Sequence, residues 1–417
     1  RGLGDVYKRQ EFSEQPRSFI MSVGTVGPLG DIEQEEEQYG DGDMVYICDQ
    51  SYLLRGTGLI EGTPTWTDLG VSFTDYITGF VVDPFAPDDR AYLLVSGDTD
   101  GGIYRTENLS SESSPSWDLM LSYSDIESML NWPSTVHLTA IDASELREGL
   151  VVVVASAHGD YCAVLYSTNF GASWSKIETG GGYARPFYLD TGACGGLRNM
   201  IRCSPHLSNM VYISTRLGKL IAVDIDSGSF EVRESGAESG VINAPFSIPY
   251  PENSSDLRFL GVPGRLPEDD QDSEMPMEST DGGYVFEPMS GAVSAYNKKF
   301  FATEAHYTDH TLVRYVSRGD TVDTSATLHF TTNNGASWST VSLYTGVENV
   351  NYFRRDTDRI YLVRNRALEN GEVVLVSEDG GQTWADKTGN LADVLGGLTE
   401  LRYVHALIPQ HWHSEIW

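Results

Sequence analysis

Basic residues are scarce in this chain. Across 417 residues, 28 Lys and Arg stand against 60 Asp and Glu, a formal net charge of −32 at pH 7. Such a surface repels phosphate backbones and anionic lipid, which argues against nucleic acid and anionic membranes as partners. No run of 18 apolar residues occurs, so no membrane-spanning helix is expected, and no secretory signal is visible. Cysteine is rare: four residues, at 48, 162, 194 and 203, with no CxxC pair, so a zinc site is not expected. Cys48 and Cys162 fall in strand-like runs and read as buried thiols. Cys194 and Cys203 flank a Gly-rich stretch that a bridge could close. No P-loop, His cluster or Ser-His-Asp spacing is present, and no stretch keeps helical periodicity for three turns. Ser124 to Leu130 reads as one short helical turn at most.

What the chain has is glycine, 42 in all, with 8 Trp and 22 Tyr, as turn-dense sheets require. It also has one short motif written four times, Ser/Thr-x-Asp/Asn-x-Gly-x-x-aromatic. The copies are Ser167, Asn169, Gly171 and Trp174; Ser279, Asp281, Gly283 and Phe286; Thr331, Asn333, Gly335 and Trp338; and Ser377, Asp379, Gly381 and Trp384. An Asp or Asn side chain accepts hydrogen bonds from backbone N–H groups two residues on and closes a turn. The glycine supplies a positive φ, and the aromatic opens the next strand and buries its ring between sheets. Strand-like runs lie on both sides, such as Cys162 to Tyr166 before one copy and Ser337 to Val341 within and after another, so each unit reads as a β-hairpin.

The motif resembles the Asp box, or BNR repeat, of sialidase-like β-propellers, shared with sortilin-type receptor domains, two-propeller xyloglucanases and photosystem II assembly-factor-like proteins. Weaker copies fill the gaps and place aromatics at 66, 117, 174, 230, 286, 338 and 384, spaced by 51, 57, 56, 56, 52 and 46. Seven anchors at this spacing imply an all-β fold, a seven-bladed β-propeller of four-stranded antiparallel blades with Asp-box turns. Further strand pairs are legible, such as Val136 to Ile141 with Leu150 to Val154. Residues 1–40 read as an artefactual or flexible lead-in with a possible strand at 18–23, and 41–390 as the propeller. Residues 391–417 read as a closing inner strand or the start of a further unit. In the closing reading, Thr399 to Leu407 pairs beside Met44 to Cys48.

The resemblance covers enzymes and non-enzymes, so function rests on the residues. Sialidases hold their substrate's carboxylate with three arginines and carry a Phe/Tyr-Arg-Ile-Pro stretch. No such stretch is present, and Ala184-Arg185-Pro186-Phe187 reads as a plain loop. Xyloglucanase-type enzymes use two carboxylates across a cleft between two propellers, and only one propeller is legible here. His306 to His310 reads as a surface loop. The motif residues are assigned structural roles, and no catalytic or metal residue is assigned. No cofactor is expected. Calcium is the one open ion, at Asp98 to Gly102 or Glu268 to Asp272, but position 12 counted from Asp98 is Leu109 where a calcium loop needs Glu.

The inter-blade loops carry the aromatic candidates for ligand contact: Trp132, Tyr183, Arg185, Tyr188, Tyr296 and Tyr307. The expectation is a non-catalytic binding module of an extracellular or cell-surface protein. Its ligand would be a glycan or a peptide at a channel mouth. The alternative is a glycoside hydrolase of sialidase or xyloglucanase type.

Overall fold

The structure is a computed structural model. It describes residues 44–48, 51–110, 114–157, 161–179, 201–214, 219–234, 244–247, 258–262, 277–291, 298–305, 312–319, 325–352, 358–364, 372–395 and 406–409. Those residues form seven four-stranded antiparallel sheets. The first contains Val45–Cys48, Leu53–Thr57, Thr65–Asp68 and, from the far end of the chain, Ala406–Pro409. The other six follow in chain order as simple meanders. They start at Tyr76–Val82, Val136–Ala143, Ile201–Cys203, Ala244–Ser247, Lys298–Ala305 and Val347–Tyr352.

Alternating side chains bury both faces of each sheet, as stacked sheets require. Seven apolar clusters hold consecutive sheets together. Tyr46, Phe80 and Leu93 join the first to the second, and Ile103, Val153 and Leu165 the second to the third. Val154, Val211 and Ile221 join the third to the fourth, and Tyr212 and Phe259 the fourth to the fifth. Leu260, Met289 and Val313 link the fifth to the sixth, and Leu328 and Leu362 the sixth to the seventh. Trp66, Ile47 and Val363 return from the seventh to the first. The sheets therefore succeed one another around a closed ring.

Closure joins segments far apart in the chain. Val45–Cys48 pairs with Ala406–Pro409 in the register Val45 to Pro409 and Cys48 to Ala406. The described strand overlaps the Thr399 to Leu407 expectation at Ala406 and Leu407; residues 396–405 lie outside the described set, as does the competing segment 18–23. Beside this pairing, Asn390 acts as a bracket. Its Oδ1 accepts from the Trp66 N–H at 2.6 Å, and its Nδ2 donates to the Trp66 carbonyl at 3.1 Å. The Trp66 indole N–H reaches the Lys387 carbonyl at 3.1 Å.

The single expected helical turn is a two-turn helix, α1, at Tyr123–Leu130. Ser122 caps it by accepting from the Asp125 N–H, and Asn131 ends it in the left-handed conformation. Tyr123, Ile126 and Leu130 bury one side, a spacing too short to show as periodicity in sequence. A four-residue helix, α2, follows the seventh sheet at Leu391–Val394.

The links within each meander alternate ends. Links between strands one and two and between three and four leave one side of the ring, here the turn face. Links between strands two and three, and from sheet to sheet, leave the other, the loop face.

Candidate functional site

All four motif copies lie on the turn face, between the third and fourth strands of the third, fifth, sixth and seventh sheets. The Ser or Thr hydroxyl carries the turn. Ser167, Ser279, Thr331 and Ser377 each accept from the glycine N–H four residues on, at 2.8, 2.9, 2.9 and 2.8 Å. Each hydroxyl donates to the Asp or Asn two residues on. That side chain accepts not from an N–H two residues on but from one four residues on, as Asn169 does from Ser173 and Asp379 from Thr383. The reason is two successive left-handed residues, such as Phe170 and Gly171 or Asn334 and Gly335, which curl the chain back a residue further. A fifth, stretched version sits in the second sheet. There Asn108 accepts from Thr106 and from the Ser116 N–H across an insertion.

Five of the aromatic anchors pack as expected for rings at a sheet junction, buried or half-buried, and Trp66 is fully buried. Phe230 is the exception, 40% exposed. Its turn, Asp224 to Gly228, lacks the double left-handed pair, and Phe230 is already the second residue of its strand, Ser229–Glu234. Sequence reading also missed the cations that lock one sheet to the next. Arg105 donates to the Phe170 carbonyl at 2.6 Å, Arg233 to the Gly282 carbonyl, and Arg258 to the Asn334 side chain at 2.7 Å. All three targets occupy the same motif position, three residues after the Ser or Thr. Only the spatial neighbour reveals the partner, so no spacing along the chain could show it.

Ser377→Ala strands the buried Gly381 N–H and is expected to cost about 1–3 kcal/mol in urea unfolding. Unchanged stability would mean the hydroxyl does not hold the turn. Acid should separate the turns as well. Burial opposes ionisation of Asp281, but the Val285 N–H and the Ser279 hydroxyl overcome it and hold the carboxyl below its usual value. The Thr383 hydroxyl and N–H do the same for Asp379. A folded pKa below the unfolded one of about 3.9 gives stability that is present above it and lost as pH falls through the folded value. Amides of Val285 and Thr383 should thus lose exchange protection in acid before those of Ser173 and Ser337, whose acceptors Asn169 and Asn333 do not titrate.

The loop face holds the candidate site. A pocket of about 490 Å³ opens between the Asp98 to Gly101 link of the second sheet and the start of α1. Asp98, Asp100 and Glu127 line it with hydroxyls of Thr99, Ser122, Ser124 and Thr135, and Tyr104, Tyr123 and Leu119 form its walls. Among the described residues no Lys or Arg lines it. The link is held rigid from below. Asp75 accepts from the N–H groups of Thr99 and Asp100, at 2.7 and 2.6 Å, and Asp100 accepts from Thr74 at 2.6 Å. The Tyr123 N–H bonds to the Gly101 carbonyl and joins helix to link. Burial first, then Glu127 and Asp98, push the Tyr123 phenol up to about 12. Burial, then Asp100 and Asp75, raise that of Tyr104. Both phenols stay neutral and donate to carbonyls, Tyr123 to Val136 and Tyr104 to Asp100.

Of the aromatic candidates, only Trp132 falls among the described residues. It is half-buried beyond α1, its ring 5.5 Å from Tyr161. Tyr183, Arg185, Tyr188, Tyr296 and Tyr307 lie outside them, as do Cys194 and Glu268 to Asp272. Cys48, Cys162 and Cys203 are buried, and burial pushes the Cys162 thiol up to about 12. Among the described residues no group of three or more His, Cys, Asp or Glu is placed to hold a metal ion, the Asp98 to Gly102 link included. No helix among them is long and apolar enough to cross a membrane.

No protein-family model matches the chain, and no curated protein matches it. Among solved structures it is similar to a GH74 enzyme of Niastella koreensis, at 15% identity over 76% of this chain and 46% of that one, with a TM-score of 0.54. It is also similar to the GH74 xyloglucanase of Xanthomonas campestris, at 14% identity over 77% and 46%, TM-score 0.52. An ancestral GH74 enzyme aligns at 10% identity over 90% and 48%, TM-score 0.52. The chain thus spans less than half the length of these enzymes. At such identities the likeness is one of fold, and the fold is that of a β-propeller.

Proposed function

We propose that the chain is a seven-bladed propeller with Asp-box turns, spanning residues 41–390 and closed by a strand from 391–417. In this reading it is a non-catalytic binding module of an extracellular or cell-surface protein. The observation that carries the functional reading is the rigid loop-face pocket beside α1. Its ionisable lining is carboxylate and phenol, and no cation lies among the lining residues to neutralise it. Such a site favours a ligand rich in hydrogen-bond donors, either the hydroxyls of a glycan or the ammonium or guanidinium of a peptide. Tyr104 and Leu119 supply surface for the ligand's carbon skeleton.

The test is calorimetric titration of the full chain with lysine- and arginine-containing pentapeptides and, separately, with xyloglucan oligosaccharides. Saturable binding of either, weakened about tenfold by Asp98→Asn with Glu127→Gln, supports the reading, and the arm that binds names the source. No binding in either arm, or binding indifferent to the double variant, removes the pocket as the site.

A further inference from the structure

The fifth sheet's turn departs from its relatives in a way that its own stability does not explain. The residues five and six places after the Ser or Thr are Ala172 and Ser173 in the third sheet and Ala336 and Ser337 in the sixth. The Ser hydroxyls there accept from Asn169 and Asn333 at 2.9 and 2.8 Å, and in the seventh sheet the Thr383 hydroxyl bonds Asp379 at 2.6 Å. In the fifth sheet these places hold Tyr284 and Val285. Val285 has no hydroxyl to give, so the turn forgoes that bond. Both residues are also exposed, Tyr284 by 44% and Val285 by 46%.

The tyrosine is fixed although exposed. Its hydroxyl bonds both Glu231 carboxylate oxygens at 2.9 Å, and the Arg233 guanidinium lies 4.7 Å from its ring centroid. An exposed ring already held in place loses little entropy on binding. Adjacent exposed apolar side chains, here Tyr284 and Val285, are the surface on which a partner gains by excluding water. Two further exposed apolar side chains belong to the turn-face end of the neighbouring fourth sheet, Phe230 near the start of its last strand and Leu207 in the link between its first two.

We propose that the Tyr284–Val285 ledge docks a short segment of a partner protein, apolar residues flanked by Lys or Arg. The charge around the ledge selects that partner. Glu231, Asp281 and Glu287 are all exposed beside it; Arg233 pairs with Glu231 at 3.2 Å, which leaves the charges of Asp281 and Glu287 to attract a cation. A second copy of this chain, itself at −32, is repelled from the same place. This surface is on the opposite face from the pocket and does not depend on it.

The test uses the full chain and a fluorescent hexapeptide alternating Lys with Leu and Phe, read by anisotropy. A matched peptide with Glu for Lys serves as the charge control. The variant is Tyr284→Ala with Val285→Ser, which restores the Ala-Ser of the third and sixth sheets and so keeps the turn. Its melting temperature should be unchanged or higher, and its affinity for the Lys peptide at least about tenfold weaker. Both titrations are also run in the Asp98→Asn, Glu127→Gln background, where the loop-face pocket contributes little of the signal and the loss caused by Tyr284→Ala with Val285→Ser should persist. The idea falls if the Lys peptide does not bind or the variant binds it equally well. Equal binding of the Glu peptide also sinks it, as does a concentration-dependent dimer that the variant abolishes, because a second copy would then own the surface.

Discussion

Trp66→Ala is expected to destabilise the protein by about 3–5 kcal/mol, more than the loss of any one turn hydroxyl. Trp66 is 1% exposed and packs against Tyr361, Val363 and Val374 of the seventh sheet. Its indole N–H satisfies the Lys387 carbonyl, and its backbone is gripped on both sides by Asn390. The ring also fills the space over Gly56, where a Cβ would meet it at 2.7 Å. Truncation therefore opens a cavity at the seam where the ring closes, and it orphans one carbonyl. Urea unfolding measures the cost. A loss under about 1 kcal/mol would mean that the seam between the seventh and first sheets contributes little.

Deleting Ala406–Pro409 is expected to act on the same seam by a different route. The deletion leaves Val45–Cys48 as the unpaired edge of a three-stranded sheet. The lost backbone bonds are worth roughly 2–6 kcal/mol in sum. The exposed edge is apolar, with Val45, Tyr46, Ile47 and Cys48 all buried in the intact chain, so it invites pairing between molecules. Size-exclusion chromatography should show higher oligomers, and hydrogen exchange should show those amides of Val45 to Cys48 that face the lost strand unprotected, while those bonded to Leu53–Thr57 stay protected. A deletion variant that stays monomeric with the amides facing the lost strand protected would show that closure rests on the Asn390 bracket and the apolar seam alone.

Much of the architecture was legible because the repeat is local. The Ser/Thr, Asn/Asp and Gly of each turn bond within five residues, so the pattern in the chain is the pattern in space. What joins sheet to sheet is not local. Arg105 with Phe170, Arg258 with Asn334, and Asn390 with Trp66 are 65, 76 and 324 residues apart. Phe230 misled because an aromatic at the right spacing follows a turn, Asp224 to Gly228, that lacks the paired left-handed residues of the four motif copies. The pocket was hidden for a related reason. The Asp98 to Gly102 stretch is visible in sequence only as an incomplete calcium loop. Its meaning depends on α1, a helix too short to announce itself, folding back beside it.

A binding module must hold its ligand in the loop-face pocket without turning it over. The direct measurement follows one sample of the full chain with xyloglucan oligosaccharides and basic pentapeptides, recording both bound ligand and released reducing ends. Saturable binding is predicted, weakened about tenfold by Asp98→Asn with Glu127→Gln, with every ligand recovered intact. Reducing ends released by the unmodified chain and not by that variant would contradict it, and would make the same carboxylates catalytic.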